Sequence, residues 1–115
     1  MPSERYPVLW VGQAAVISAP VEIDMTNAGD LRGCLLSAIG NGARAVVVDM
    51  TATTFCDCGG MHAIVGCLGL AAAVGASLRL AVSAPEVRQV FTITGAARLI
   101  DICPTVAAAL LGGPD

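Results

Sequence analysis

The run Ala45-Val46-Val47-Val48-Asp49-Met50 constrains the fold more than any other part of the chain. Three consecutive valines cannot lie with alternate side chains in water. Such a run is buried on both faces, and strands buried in this way belong to parallel sheets covered by helices. The expected strand takes in residues 43–50. A polar stretch, Thr51-Ala52-Thr53-Thr54, then leads to Phe55-Cys56-Asp57-Cys58-Gly59-Gly60-Met61-His62. An Asp followed by small residues can accept the first unpaired N–H groups of a helix. The apolar segment 61–74 reads as that helix, closed by Gly75, and 77–82 as the next buried strand.

The rest of the chain completes this pattern. Residues 6–11 and 14–21 read as two strands joined by the hairpin signal Gly12-Gln13, with Pro20 ending or bending the second. Glu22-Ile23-Asp24-Met25 reads as a turn into a first helix, with Thr26 or Asn27 as N-cap. Ala28, Leu31, Leu35, Ala38 and Ile39 then recur at three- and four-residue steps, and Gly40-Asn41-Gly42 supplies the stop. Ser83, Pro85 and Glu86 have the spacing of a capping box, opening a helix through Val87, Val90, Phe91 and Thr94 that ends at Gly95. Residues 99–103 read as a short strand. Pro104 and Thr105 open a last helix through Leu111, and 112–115 should fray. The expected order is ββαβαβαβα, an α/β fold with a mixed sheet and helices packed on it. At 115 residues the chain holds one domain over 1–115, with its core at 8–110.

Composition removes several function classes. A net charge of −3 without any Lys or any arginine cluster argues against a nucleic-acid partner. The N-terminus lacks the basic-then-apolar pattern of a signal peptide, which points to the cytoplasm. Residues 58–78 contain no charge and are long enough to span a membrane, but their glycines, His62 and the strand pattern beginning at Ser77 argue for a buried helix instead. Neither nucleotide-binding glycine fingerprint is present, and no serine-hydrolase elbow or zinc-protease pair occurs, so no cofactor and no catalytic residue is expected.

The five cysteines are odd in number and match no secreted scaffold. Cys34, Cys67 and Cys103 lie on apolar stripes and read as core. Cys56-x-Cys58 with His62 is a weak metal-ligand spacing. Cys58 is the more reactive candidate, because helix N-termini favour thiolates. A redox-responsive regulator acting through Cys58, or a small cysteine or metal protein, therefore stands beside the non-catalytic reading. Asp24 and Asp57 each precede a helix, where capping competes with a role in one shared polar surface.

Several segments together resemble the STAS domain of bacterial anti-sigma factor antagonists. Val21-Glu22-Ile23-Asp24 is similar to the family's G-E-[LI]-D, with Val21 replacing the Gly. Val46-Val47-Val48-Asp49 and Thr54-Phe55-Cys56-Asp57-Cys58-Gly59-Gly60-Met61 are similar to its V-[LV]-D…F-[IM]-D-S-S-G-L block, and Thr94-Gly95-Ala96-Ala97-Arg98-Leu99-Ile100 to its T-G-L-x-x-L-[FI] ending. The resemblance implies a non-enzymatic, STAS-like binding domain that takes up an anti-sigma factor, in this family often itself a serine protein kinase, and so releases a sigma factor. It places partner contacts at Asp24, Asp57, Cys58, Gly59, Gly60, Met61 and His62. It also places the family's phosphoacceptor serine at Gly59, which has no hydroxyl to phosphorylate. Control is then absent, moved to Cys58 redox chemistry, or moved to a neighbour such as Thr53 or Thr54.

Overall fold

The computed structural model describes residues 6–112. The expected fraying of the C-terminus falls mainly on 113–115, and the leader reading on 1–5, both outside the described residues. Strand β1 (Val8–Val11) turns back through Gly12 into β2 (Ala14–Ser18), and Gly12 takes the positive φ of 61° that this tight connection needs. Short β3 (Glu22–Ile23) precedes α1 (Ala28–Gly40). Then come β4 (Ala45–Met50), short β5 (Phe55–Cys56), α2 (Cys58–Val65), α3 (Leu68–Ala73) and β6 (Ser77–Val82). The chain ends with α4 (Pro85–Ile93), a 3-10 turn (Ala96–Arg98), β7 (Asp101–Cys103) and α5 (Val106–Leu110).

The main sheet has the order β1-β2-β4-β6-β7, antiparallel only between β1 and β2. It is the mixed α/β sheet that the order of elements predicts, and Val46, Val47 and Val48 are fully buried in it, as the valine run required. Val46 and Val48 join the large core with α1, α2 and α4. Val47 faces the other way, with Val16, Ala81 and Cys103, beneath Ala109 of α5. The expected apolar face of α1 is buried as read, with Cys34 added to it. Cys34, Cys67 and Cys103 are all buried, as their stripes required.

Three local expectations are corrected. Residues 61–74 are two helices rather than one, and the first of them starts earlier, at Cys58. Gly66 N–H donates to His62 O at 2.8 Å, and Cys67 N–H reaches back only three residues to Ile64 O at 3.0 Å. This tightened turn re-aims the chain so that both Ile64 and Ala71 stay in the core. The capping box at Ser83 does not form. Pro85 occupies the first helical position and holds the preceding Ala84 extended, so Ala84 becomes the N-cap and Ser83 falls one residue short. Finally, the turn at 22–25 and the stretch before Asp57 contain β3 and β5, which pair in parallel as a separate two-stranded sheet.

Candidate functional site

That small sheet builds the site. Its register sets Glu22 opposite Phe55 and Ile23 opposite Cys56, so Asp24 and Asp57 are the next residues off two paired strand ends. Asp57 N–H donates to Ile23 O at 3.1 Å, and Thr54 N–H to Val21 O at 2.8 Å. The Asp24 loop and the α2 start thus form one continuous surface.

At the start of α2, Asp57 is the N-cap in extended conformation, and its carboxylate accepts the Gly60 N–H at 2.8 Å. This satisfies one of the four donors that the first helical turn leaves open. The cap forms because Cys58, Gly59 and Gly60 are small enough for the carboxylate to fold over them. A β-carbon on Gly60 would stand 2.5 Å from Ile23 Cγ2 and 3.1 Å from Cys56 Sγ, so the α2 backbone lies directly on β3 and β5.

Asp24 is not a cap. Its carboxylate accepts the Thr26 N–H at 2.9 Å and the Thr26 hydroxyl at 2.5 Å. The Thr26 hydroxyl, followed by its backbone N–H, holds the Asp24 pKa below the usual carboxylate value, so this half-exposed loop keeps its negative charge. Asn27 stands at the N-cap position of α1, but its side chain serves the loop. Its Oδ1 accepts from Asp24 N–H at 3.0 Å, and its Nδ2 donates to Glu22 O at 2.8 Å.

The expected contact residues separate by exposure. Cys58, Gly59 and His62 are exposed and Asp57 and Asp24 are half-buried, whereas Gly60 and Met61 are buried and can act only by holding the surface in place. Thr53 is buried with its hydroxyl donated to Pro20 O at 2.8 Å, which closes it to a kinase, while Thr54 is exposed. Cys56 is buried and Cys58 exposed, so these two thiols do not face one ligand. Among the described residues, no three His, Cys, Asp or Glu side chains are grouped to hold a metal ion.

Sequence reasoning missed what lies beside Cys58. Glu86, Gln89, Val90 and Ile93 form one stripe along α4 that its C-cap Thr94 continues, and with Cys58 they line an open groove of about 370 Å³. Ile93 is 74% exposed at its edge, and Phe55 and Met25 are also exposed. Together they make the α2 start an apolar surface with carboxylates beside it. The helical spacing of 86, 89, 90, 93 and 94 was visible in the sequence. That this stripe faces Cys58 was not, because it depends on how α4 packs.

Burial, then the negative charges of Asp57 and Cys58, push the Cys56 thiol up from 9.0 to about 12. Folding therefore favours the neutral thiol. The resulting stability is fully present below pH 9.0 and is lost as pH rises toward about 12. The Cys67 and Cys103 thiols are raised by burial and act in the same direction. Urea midpoints measured from pH 7 upward should hold to pH 9.0 and then fall, and Cys56→Ala should flatten part of that fall.

Comparison with known proteins agrees with this architecture. The STAS domain family model matches residues 9–109. Comparison with curated sequences gave no significant match. The structure of an anti-sigma factor antagonist from Mycobacterium paratuberculosis superposes with a TM-score of 0.79 at 22% identity, covering 100% of this chain and 98% of that one. The unphosphorylated anti-sigma factor antagonist SpoIIAA gives 0.76 at 23% identity, covering 91% and 92%. The phosphorylated form of SpoIIAA, a Bacillus cell fate determinant, gives 0.68 at 22%, covering 91% and 96%. No helix among the described residues is long and apolar enough to cross a membrane, and the uncharged stretch 58–78 is divided among α2, α3 and β6. With the family model spanning all but the ends of the chain, and the sheet and helices arranged as in these structures, the chain belongs to the STAS domain family.

Proposed function

We propose that this domain is a non-enzymatic anti-sigma factor antagonist that binds an anti-sigma factor in the cytoplasm and thereby releases its sigma factor. The observation that carries the reading is the exposed Cys58-Gly59 start of α2, held between the Asp24 loop and the α4 groove on a STAS fold. The surface offers an apolar groove for an anchoring side chain and carboxylates for orientation, which is the make-up of a protein-docking site. It needs no cofactor. Gly59 stands where the family's phosphoacceptor is expected, so docking at that position is free of phosphate control even when the partner is a serine kinase.

The test is to titrate the purified protein against anti-sigma factors encoded in the same genome, with and without ATP, and to read complex formation and intact mass. A complex without added phosphate is expected. Gly59→Ser should gain one phosphate with a partner that has kinase activity. A phosphoryl group adds roughly −1.5 to −2 charge to the surface, and affinity should then fall at least about tenfold. Phosphate on the wild-type chain at Thr54 would overturn the unregulated reading.

The exposure of Cys58 at the groove edge favours a second form of control, oxidation of that thiol. Peroxide should then weaken partner binding in the wild type and leave Cys58→Ser unaffected. Equal affinity before and after oxidation rejects it.

A further inference from the structure

The two edges of the main sheet differ in a way that the docking site does not explain. β7 carries the usual protections against pairing with another strand: it is three residues long, Asp101 is charged and exposed, and Pro104 follows at once. β1 carries no charge along Val8–Val11, and Leu9, Trp10 and Val11 are 64%, 45% and 46% exposed. Pro7 does not blunt this edge. Ser18 N–H donates to Pro7 O at 3.0 Å, and Val11 faces Ala14 across the two-residue turn. Antiparallel alternation therefore turns the backbone groups of Pro7, Leu9 and Val11 toward β2, and those of Val8 and Trp10 outward. The outer edge presents two complete sets of N–H and C=O groups, and among the described residues no strand lies beside them.

We infer that β1 pairs with β1 of a second copy of this chain, antiparallel across a two-fold axis, joining the two five-stranded sheets into one. The edge itself selects this occupant. It has no charge for an acidic or basic segment to grip, and an uncharged apolar strand is its best complement. In the described fold that strand is Val8–Val11 itself, since the opposite edge is closed by Asp101 and Pro104. The two-fold narrows the register. Outward-facing residues must meet outward-facing residues, which allows an axis at Val8, Leu9 or Trp10, and only the axis at Leu9 pairs both outward-facing residues of Val8–Val11. Val8 of each copy then hydrogen-bonds with Trp10 of the other, and Leu9 stands opposite Leu9. Val8 and Trp10 wall a cavity of about 260 Å³ with Ser37 and Ala38 of α1 and Asn41 just past its end. In the pair, the cavities of the two copies lie on the same face and adjoin. A contact of one short strand falls in the weak interface class, below roughly 1,200 Å², so the dimer should depend on concentration.

Sedimentation of the full chain tests this. From about 5 µM to about 500 µM the mass should rise from one copy toward two, and the emission of Trp10, the single tryptophan, should shift to the blue. Trp10→Pro removes an outward N–H while sparing the β1–β2 ladder, and Trp10→Lys places a charge on the edge. Each should weaken association at least about tenfold, and the lysine variant serves if the proline variant fails to fold. In a Cys58→Ser background, Leu9→Cys should cross-link into a disulfide dimer on oxidation, because directly opposed non-hydrogen-bonded residues are close enough for one. A single-copy mass throughout, a dimer unchanged by both Trp10 variants, or a dimer that Leu9→Cys fails to cross-link overturns the proposal.

Discussion

Gly60→Ala should destabilise the domain by about 2 kcal/mol, whereas Gly59→Ala, one residue earlier, should change stability by less than about 1 kcal/mol. Both glycines lie in the first turn of α2, and in each the added methyl improves helix propensity by up to about 1 kcal/mol. What separates them is the space. At Gly60 the new carbon meets Ile23 Cγ2 at 2.5 Å, a distance no real contact sustains. Either α2 lifts from the small sheet or Ile23, itself fully buried, moves. At Gly59 the nearest atom is Asp57 Oδ1 at 3.3 Å, on a side chain that can yield by a few tenths of an ångström. Thermal melts of the two variants should differ accordingly, by roughly 5–10 °C for a domain of this size. Combining Gly60→Ala with Ile23→Ala, which removes Cγ2, should recover part of the sum of the single losses and so reveal the coupling between the two positions. A fully additive pair would mean that the close approach is not what Gly60 provides.

Phe91→Ala should cost about 3–5 kcal/mol, a large share of the stability of a domain this size. Phe91 is one of two phenylalanines in a chain with 3% aromatic residues, and it is the largest of the fully buried side chains. Small aliphatic neighbours cannot reach far into the space that a ring leaves, so the cavity term should be near its upper range. Phe91→Leu should lose much less, because most of the volume is kept. The functional expectation is separate. Phe91 secures α4 from its buried side, while Val90, Ile93 and Thr94 face the groove. Phe91→Leu leaves those three side chains in place, so partner affinity should drop only as far as the groove shifts. Denaturant titration gives the first quantity and calorimetric titration the second.

The parts legible in the sequence were those where one physical requirement dominated a stretch. Val46–Val48 had to be buried on both faces, and the 28, 31, 35, 38, 39 spacing of α1 admitted one apolar side. Asp57 before three small residues announced its cap. The parts that were not legible depended on contacts between distant segments. β3 and β5 are two residues each, too short for any periodicity, and they exist because Ile23 and Cys56 meet. Gly59 and Gly60 look equivalent in the chain and differ only in what faces them. The break at Gly66-Cys67 follows from the need to bring Ile64 and Ala71 to the same core, which no local propensity encodes. Ser83 shows a local rule losing to a stronger neighbour, since Pro85 sets the helix start one residue later.

The seat of Gly60 on Ile23 has a mechanical consequence. Between the backbone of α2 and the strand that leads into the Asp24 loop stands the Ile23 side chain, which leaves no room even for a β-carbon at Gly60, and Asp57 N–H is tied to the carbonyl of that same Ile23. A push on one loop has no soft element in which to dissipate before it reaches the other. The two loops should behave as one stiff jaw rather than two independent fingers. Their ordering is then completed when the chain folds, which leaves little to be ordered at the moment of contact.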